Sequence, residues 1–150
     1  MSVTFNTPVR VFKRNNPSND GTIAPDNTGA ALVSREKAFV GGAAATVVIP
    51  AGAIVHSVTA YVTTAAGVPG TPNVTIGSTV VGTLSDDAGI NAATFGTGST
   101  AVAKLANVGA EDATLSFTAG ATAAGFISVV WTARNPDGTI TNTGEGYTNE

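Results

Sequence analysis

Residues 46–64 read TVVIPAGAIVHSVTAYVTT, and this stretch contains no carboxylate, no lysine and no arginine. His56 is its only histidine. Pro50 and Gly52 interrupt the run, and threonine is frequent in it. It therefore does not meet the requirement for a membrane span, about 20 consecutive and predominantly apolar residues. What remains is a pair of strands. TVVI (46–49) ends at Pro50, whose ring presets the torsion of a tight turn. Ala53 to Thr64 then alternates. Successive side chains of a strand point to opposite faces, so the pattern predicts Ile54, His56, Val58, Ala60 and Val62 on a core face. Val55, Ser57, Thr59, Tyr61 and Thr63 fall on the other face, which is wet or meets a neighbour.

The choice of apolar residues extends this reading to the whole chain. There are 18 Val and 7 Ile against 4 Leu, and no Gln. β-Branched side chains are stiff at the first torsion and pack well on a pleated surface. Further strands are predicted at 31–40, 73–77, 78–84, 100–105, 112–118 and 125–135, with a short one at VRVFK (9–13). The stretch SDDAGINAATFGTGST (85–100) reads as irregular, with room for one helical turn. Short strands with turn signals every 8–12 residues predict an all-β fold, an antiparallel β-sandwich that is jelly-roll-like, with an extended N-terminal arm. The 150 residues divide into an arm and first strand (1–40), a sandwich body (41–138) and a polar tail (139–150). A chain of this length buries roughly 68–70% of its unfolded surface and needs no covalent or metal staple.

Charge is unevenly placed. Arg10, Lys13, Arg14, Arg35 and Lys37 face only Asp20, Asp26 and Glu36 within residues 1–37, a balance of +2. From residue 38 onward, Lys104 and Arg134 oppose seven carboxylates, which gives the net −3 of the chain. A weakly basic arm on an acidic body fits an acidic partner surface. Two net charges are too few for nucleic acid, which demands several phosphate contacts. Aromatics interleaved with Lys and Arg, the mark of a sheet that reads RNA, are missing as well. The amino terminus has no basic start followed by an apolar run and a small-residue cleavage site, so it does not read as a secretory signal.

No catalytic constellation is legible. The chain has no cysteine and one histidine. Thiolate chemistry and a histidine-rich zinc site are thereby excluded. A lone histidine between Ile54 and Val58 reads as a packed or interface residue. GTGST (96–100) lacks the Gly-Lys pair and the βαβ setting of a phosphate loop. Asp86-Asp87 and Glu111-Asp112 lie in predicted turns without the spacing of a calcium loop, and no carboxylate pair has the setting expected for glycoside hydrolysis. The expectation is a protein that is not an enzyme and takes no cofactor or metal.

The segment VVIPAGAIVHSVTAYVTTAAG, followed by TIGS (75–78) and closed by GFISVVWTARN, resembles the capsid decoration or cement proteins of tailed phages. The resemblance covers roughly residues 45–135. It implies a β-sandwich protomer that assembles as a homotrimer on the outer surface of the virion, bound to the major capsid protein and stabilising the expanded shell across capsomer seams. It implies neither nucleic acid nor membrane as a partner. On this reading Arg10, Lys13 and Arg14 of the arm contact acidic capsid surface. The low-charge face around Thr59, Tyr61 and Thr63 is the candidate subunit interface. The alternative is a head-fibre or tail-associated module that binds a glycan or receptor, for which Trp131, Tyr61 and Tyr147 are the available aromatics.

Overall fold

The computed structural model describes residues 32–134. The predicted strand at 9–13 and the tail at 139–150 lie outside the described residues. In chain order the elements are β1 (Leu32–Val40), β2 (Ala44–Ile49), β3 (Ile54–Thr64), β4 (Asn73–Ile76) and β5 (Thr79–Thr83). They continue with β6 (Gly89–Ala92), β7 (Thr94–Phe95), α1 (Ser99–Ala106), β8 (Ala113–Thr118) and β9 (Ala124–Thr132). Every strand pairing is antiparallel. The strands form two sheets, ordered β1-β9-β3-β6 and β2-β8-β4-β5-β7. The expected antiparallel β-sandwich is therefore the fold.

Alternation holds the two sheets together. Val58, Ala60 and Val62 of β3 and Ile127, Val129 and Trp131 of β9 are buried. They face Val47 and Ile49 of β2, Leu115 and Phe117 of β8, and Val74 and Ile76 of β4, which are buried too. Phe39 of β1 meets Phe117 across the gap edge to face, ring centroids 5.5 Å apart and planes at 78°. Such a contact adds about 0.5–1.5 kcal/mol to the area it buries.

The chain passes from one sheet to the other at the rims. Gly41 and Gly42 turn β1 into β2, with φ of 24° and 72°. A side chain on Gly41 would also collide with the Ala121 carbonyl. On the opposite rim Ala93 separates β6 from β7, and its N–H donates to the Val58 carbonyl at 2.8 Å. α1 contacts β5 of one sheet and β3 of the other.

Three expectations are corrected. TAVAKL (100–105) is not a strand but most of α1. Its alternating alanines mimic a period of two, yet Ala, Leu and Lys are strong helix formers. The inward positions are Ala101, which is buried, and Leu105, which packs on the core; that spacing of four is helical. The stretch 85–100 is not wholly irregular, since it supplies β6 and β7. Strands of four and two residues are too short to show periodicity.

The third correction concerns β3. Its register against β9 shifts between Val55 and Ser57. A β-bulge there sets two residues of β3 against one of β9, so Val55 is buried and His56 is exposed. His56 and Ile54 thus leave the predicted core face, and Val55 takes the place expected for them.

Candidate functional site

Register and alternation fix which side chains cover the outside of each sheet. On the four-stranded sheet, Ala38, Phe126, Tyr61 and Ile90 stand side by side across β1, β9, β3 and β6. The neighbouring row is Glu36, Ser128, Thr59 and Ala92. Leu32, Thr132 and Ile54 make a row at the end near the bulge. The rings of Tyr61 and Phe126 stack with centroids 4.7 Å apart and planes at 11°. Leu32, Val40 and Ile90 are 69%, 71% and 73% exposed, so this outer face offers aliphatic and aromatic surface directly to solvent. Glu36 is the one charged side chain in those rows. Strand spacing and rise give the whole face roughly 500 Å². An apolar patch within a face of that size is comparable to the largest on a typical monomer, about 300–600 Å² and often functional, which makes this face the candidate site.

The outer face of the five-stranded sheet differs. Thr46, Ser116, Thr75 and Val80 form its central row, with Thr114 and Thr118 beside it on β8. It also lacks charge, but its hydroxyls satisfy water. The hydroxyls of this face hold water around Val48 and Val80, each 49% exposed, whereas the other face adds a stacked aromatic pair and gains more by being covered.

The predicted interface residues lie on the second kind of face. Tyr61 is half-buried by its stack on Phe126 and by its position between Phe126 and Ile90. Thr59 is half-buried beside Ser128. Thr63 sits in a second register shift, between Val62 and Thr64, and its hydroxyl donates to the Ala124 carbonyl at 3.0 Å. Beside that shift β9 carries Gly125, where a side chain would collide with the Tyr61 carbonyl. His56 joins the far end of the same face, its Nε2 2.7 Å from the Thr132 hydroxyl oxygen. Arg10, Lys13 and Arg14, the predicted capsid contacts, lie outside the described residues.

Phe126 and Ile90 were not singled out in the sequence. Phe126 lies on a strand more than 60 residues from Tyr61, and only the β3–β9 register brings the two rings together. Trp131, offered as a glycan platform, is buried in the core between Val33 and Val55 instead.

Elsewhere the polar side chains serve the scaffold. Among the described residues no three His, Cys, Asp or Glu side chains gather as a metal site. A shallow groove of about 510 Å³ between α1 and β5 is lined by Thr79, Ser99, Thr100, Ala103, Lys104 and Asn107. Its ammonium is engaged, donating to the Val108 carbonyl behind the helix. Comparison with family models, curated proteins and solved structures gave no match, so the site is read from its own geometry.

Proposed function

We propose that this protein is a structural virion component that binds the outer surface of a phage capsid as a homotrimer and stabilises the expanded shell across capsomer seams. The observation that carries the reading is the outer face of the four-stranded sheet. Its stacked Tyr61–Phe126 pair, flanked by Ala38 and Ile90, has the composition of an interface core. Turning three such faces towards a common axis covers the aromatic and aliphatic side chains of each, with the exposed Glu36 of the neighbouring row left at the rim. The resemblance of residues 45–135 to capsid decoration proteins supports the same assignment.

Packed DNA pushes a full head outward, and the seams between capsomers are its weak points. A trimer across a seam holds several capsid subunits at once. Linking three modest contacts raises avidity over any single affinity by about 10²–10⁴. A ligand that binds the expanded lattice alone stabilises that lattice by mass action. The basic arm with Arg10, Lys13 and Arg14 supplies the contact to acidic capsid surface.

The test is to mix the purified full-length chain with expanded capsids that lack it and sediment them. The proposal expects co-sedimentation that saturates at a fixed, lattice-defined ratio. Protein left in the supernatant at every concentration refutes it. The outward Tyr61–Phe126 pair also favours a second reading, a glycan- or receptor-binding module. Retention on a glycan array without capsid binding selects that one.

A further inference from the structure

We propose that the lateral seam between β1 and β2 is a strand-addition site selective for an extended acidic segment of a partner. β1 and β2 end their respective sheets and lie over one another on the same side of the sandwich. β2, AATVVI, is uncharged and alternates cleanly, with Ala45, Val47 and Ile49 buried and Ala44, Thr46 and Val48 exposed. The edge of β2 away from β8 has no neighbouring strand among the described residues. A row of unpaired backbone groups of this kind is a template for an incoming strand.

What may enter is decided by β1. Arg35 and Lys37 pair in register with Val129 and Ile127, whose side chains are buried, so both cations are on the inner side of their sheet. Because β1 is the last strand, they overhang the rim above β2 and stay exposed. Neither is paired with a carboxylate among the described residues. Inward-pointing charges on an edge strand guard against edge-to-edge association. Here they guard selectively. Joining two copies edge to edge along this seam brings Arg35 and Lys37 of one copy towards those of the other. A strand with carboxylates on its inner face instead completes two ion pairs while its backbone extends the β2 sheet. Among the described residues the other cations are Lys104 and Arg134, which stand singly along the chain, so this seam is where two cations share a rim. The site lies on the flank of the sandwich, away from the outer face of the four-stranded sheet, and it stands whether or not that face makes a trimer.

The probe is a synthetic peptide of alternating Thr and Glu, compared with the same peptide carrying Lys in place of Glu. Amide hydrogen exchange across residues 44–49 of the full-length chain reads strand addition. The Glu peptide is expected to slow exchange there, and the Lys peptide is not. The exposed double variant Arg35→Glu/Lys37→Glu should weaken the Glu peptide about tenfold, the size of two exposed ion pairs, and accept the Lys peptide instead. Unchanged fluorescence of Trp131 confirms that the variant is folded. Equal action of both peptides, or of neither, overturns the proposal. So does protection, without peptide, of the amides within 44–49 that point away from β8, whether it grows with protein concentration, as for a second copy, or not, as for the chain's own termini.

Discussion

Asp86 shows how much a single residue carries in this sandwich. It is the one charged side chain among the described residues that is buried, at 1% exposed. Its Oδ1 accepts from the Gly70 amide at 2.7 Å and its Oδ2 from the Gly120 amide at 2.9 Å. Its own amide donates to the Gly70 carbonyl, and its carbonyl accepts from Ala66. One carboxylate thus ties together the loops that follow β3, β5 and β8. Gly120 admits it, since a Cβ there would stand 3.1 Å from Asp86 Oδ2 and 2.8 Å from the Ala66 Cβ. Asp86→Ala removes the charged acceptor of the part-buried bonds from the Gly70 and Gly120 amides, at about 1.5–3 kcal/mol for each bond to a charged group. We predict a loss of about 3–5 kcal/mol in urea unfolding followed by Trp131, the only tryptophan. A loss under 1 kcal/mol would show the amides satisfied in another way. In the sequence Asp86 and Asp87 are indistinguishable turn carboxylates. Asp87 is exposed and bonds the nearby Ser85 hydroxyl, whereas the partners of Asp86 are 16 and 34 residues away. Nothing local separates them.

At the scale of the element, β3 teaches most. Its apolar residues announce a strand, and from Val58 to Val62 the predicted faces are those observed. The face of its first residues was misread because a bulge adds one residue without leaving a mark such as glycine in the sequence. The extra residue is His56, with no partner of its own on β9. Deleting His56 joins Val55 to Ser57 and restores unbroken alternation, with Val55 inside and Ser57 outside. Deleting Thr59 three positions on instead turns one half of the strand to the wrong face. We expect the first deletion to cost about 1 kcal/mol, the worth of its hydrogen bond to Thr132. The second should prevent folding or cost several buried side chains at about 1.5–3 kcal/mol each. Equal destabilisation by the two would show that His56 is not the inserted residue. α1 was misread for the opposite reason. Its alanines fit either period, and only the packing of Ala101 and Leu105 selects the helix.

For the whole molecule, valine-rich alternation made the two-layer sandwich legible, because each strand needs one face covered. The pairing order was not legible. β1 closes on β9 and β2 on β8, contacts 64 to 100 residues apart in sequence. The outer face of the four-stranded sheet depends on that order, so the sequence marks Thr59, Tyr61 and Thr63 on β3 but not their neighbours Phe126 and Ile90. The central claim is that this face joins three copies. It is tested most directly by sedimentation equilibrium of the full chain and of Tyr61→Glu, which sets a carboxylate among Phe126 and Ile90 without touching the core. The account predicts three times the 14.8 kDa chain mass for the native protein and one chain mass for the folded variant. A native protein that remains monomeric, or a variant that remains trimeric, would contradict it.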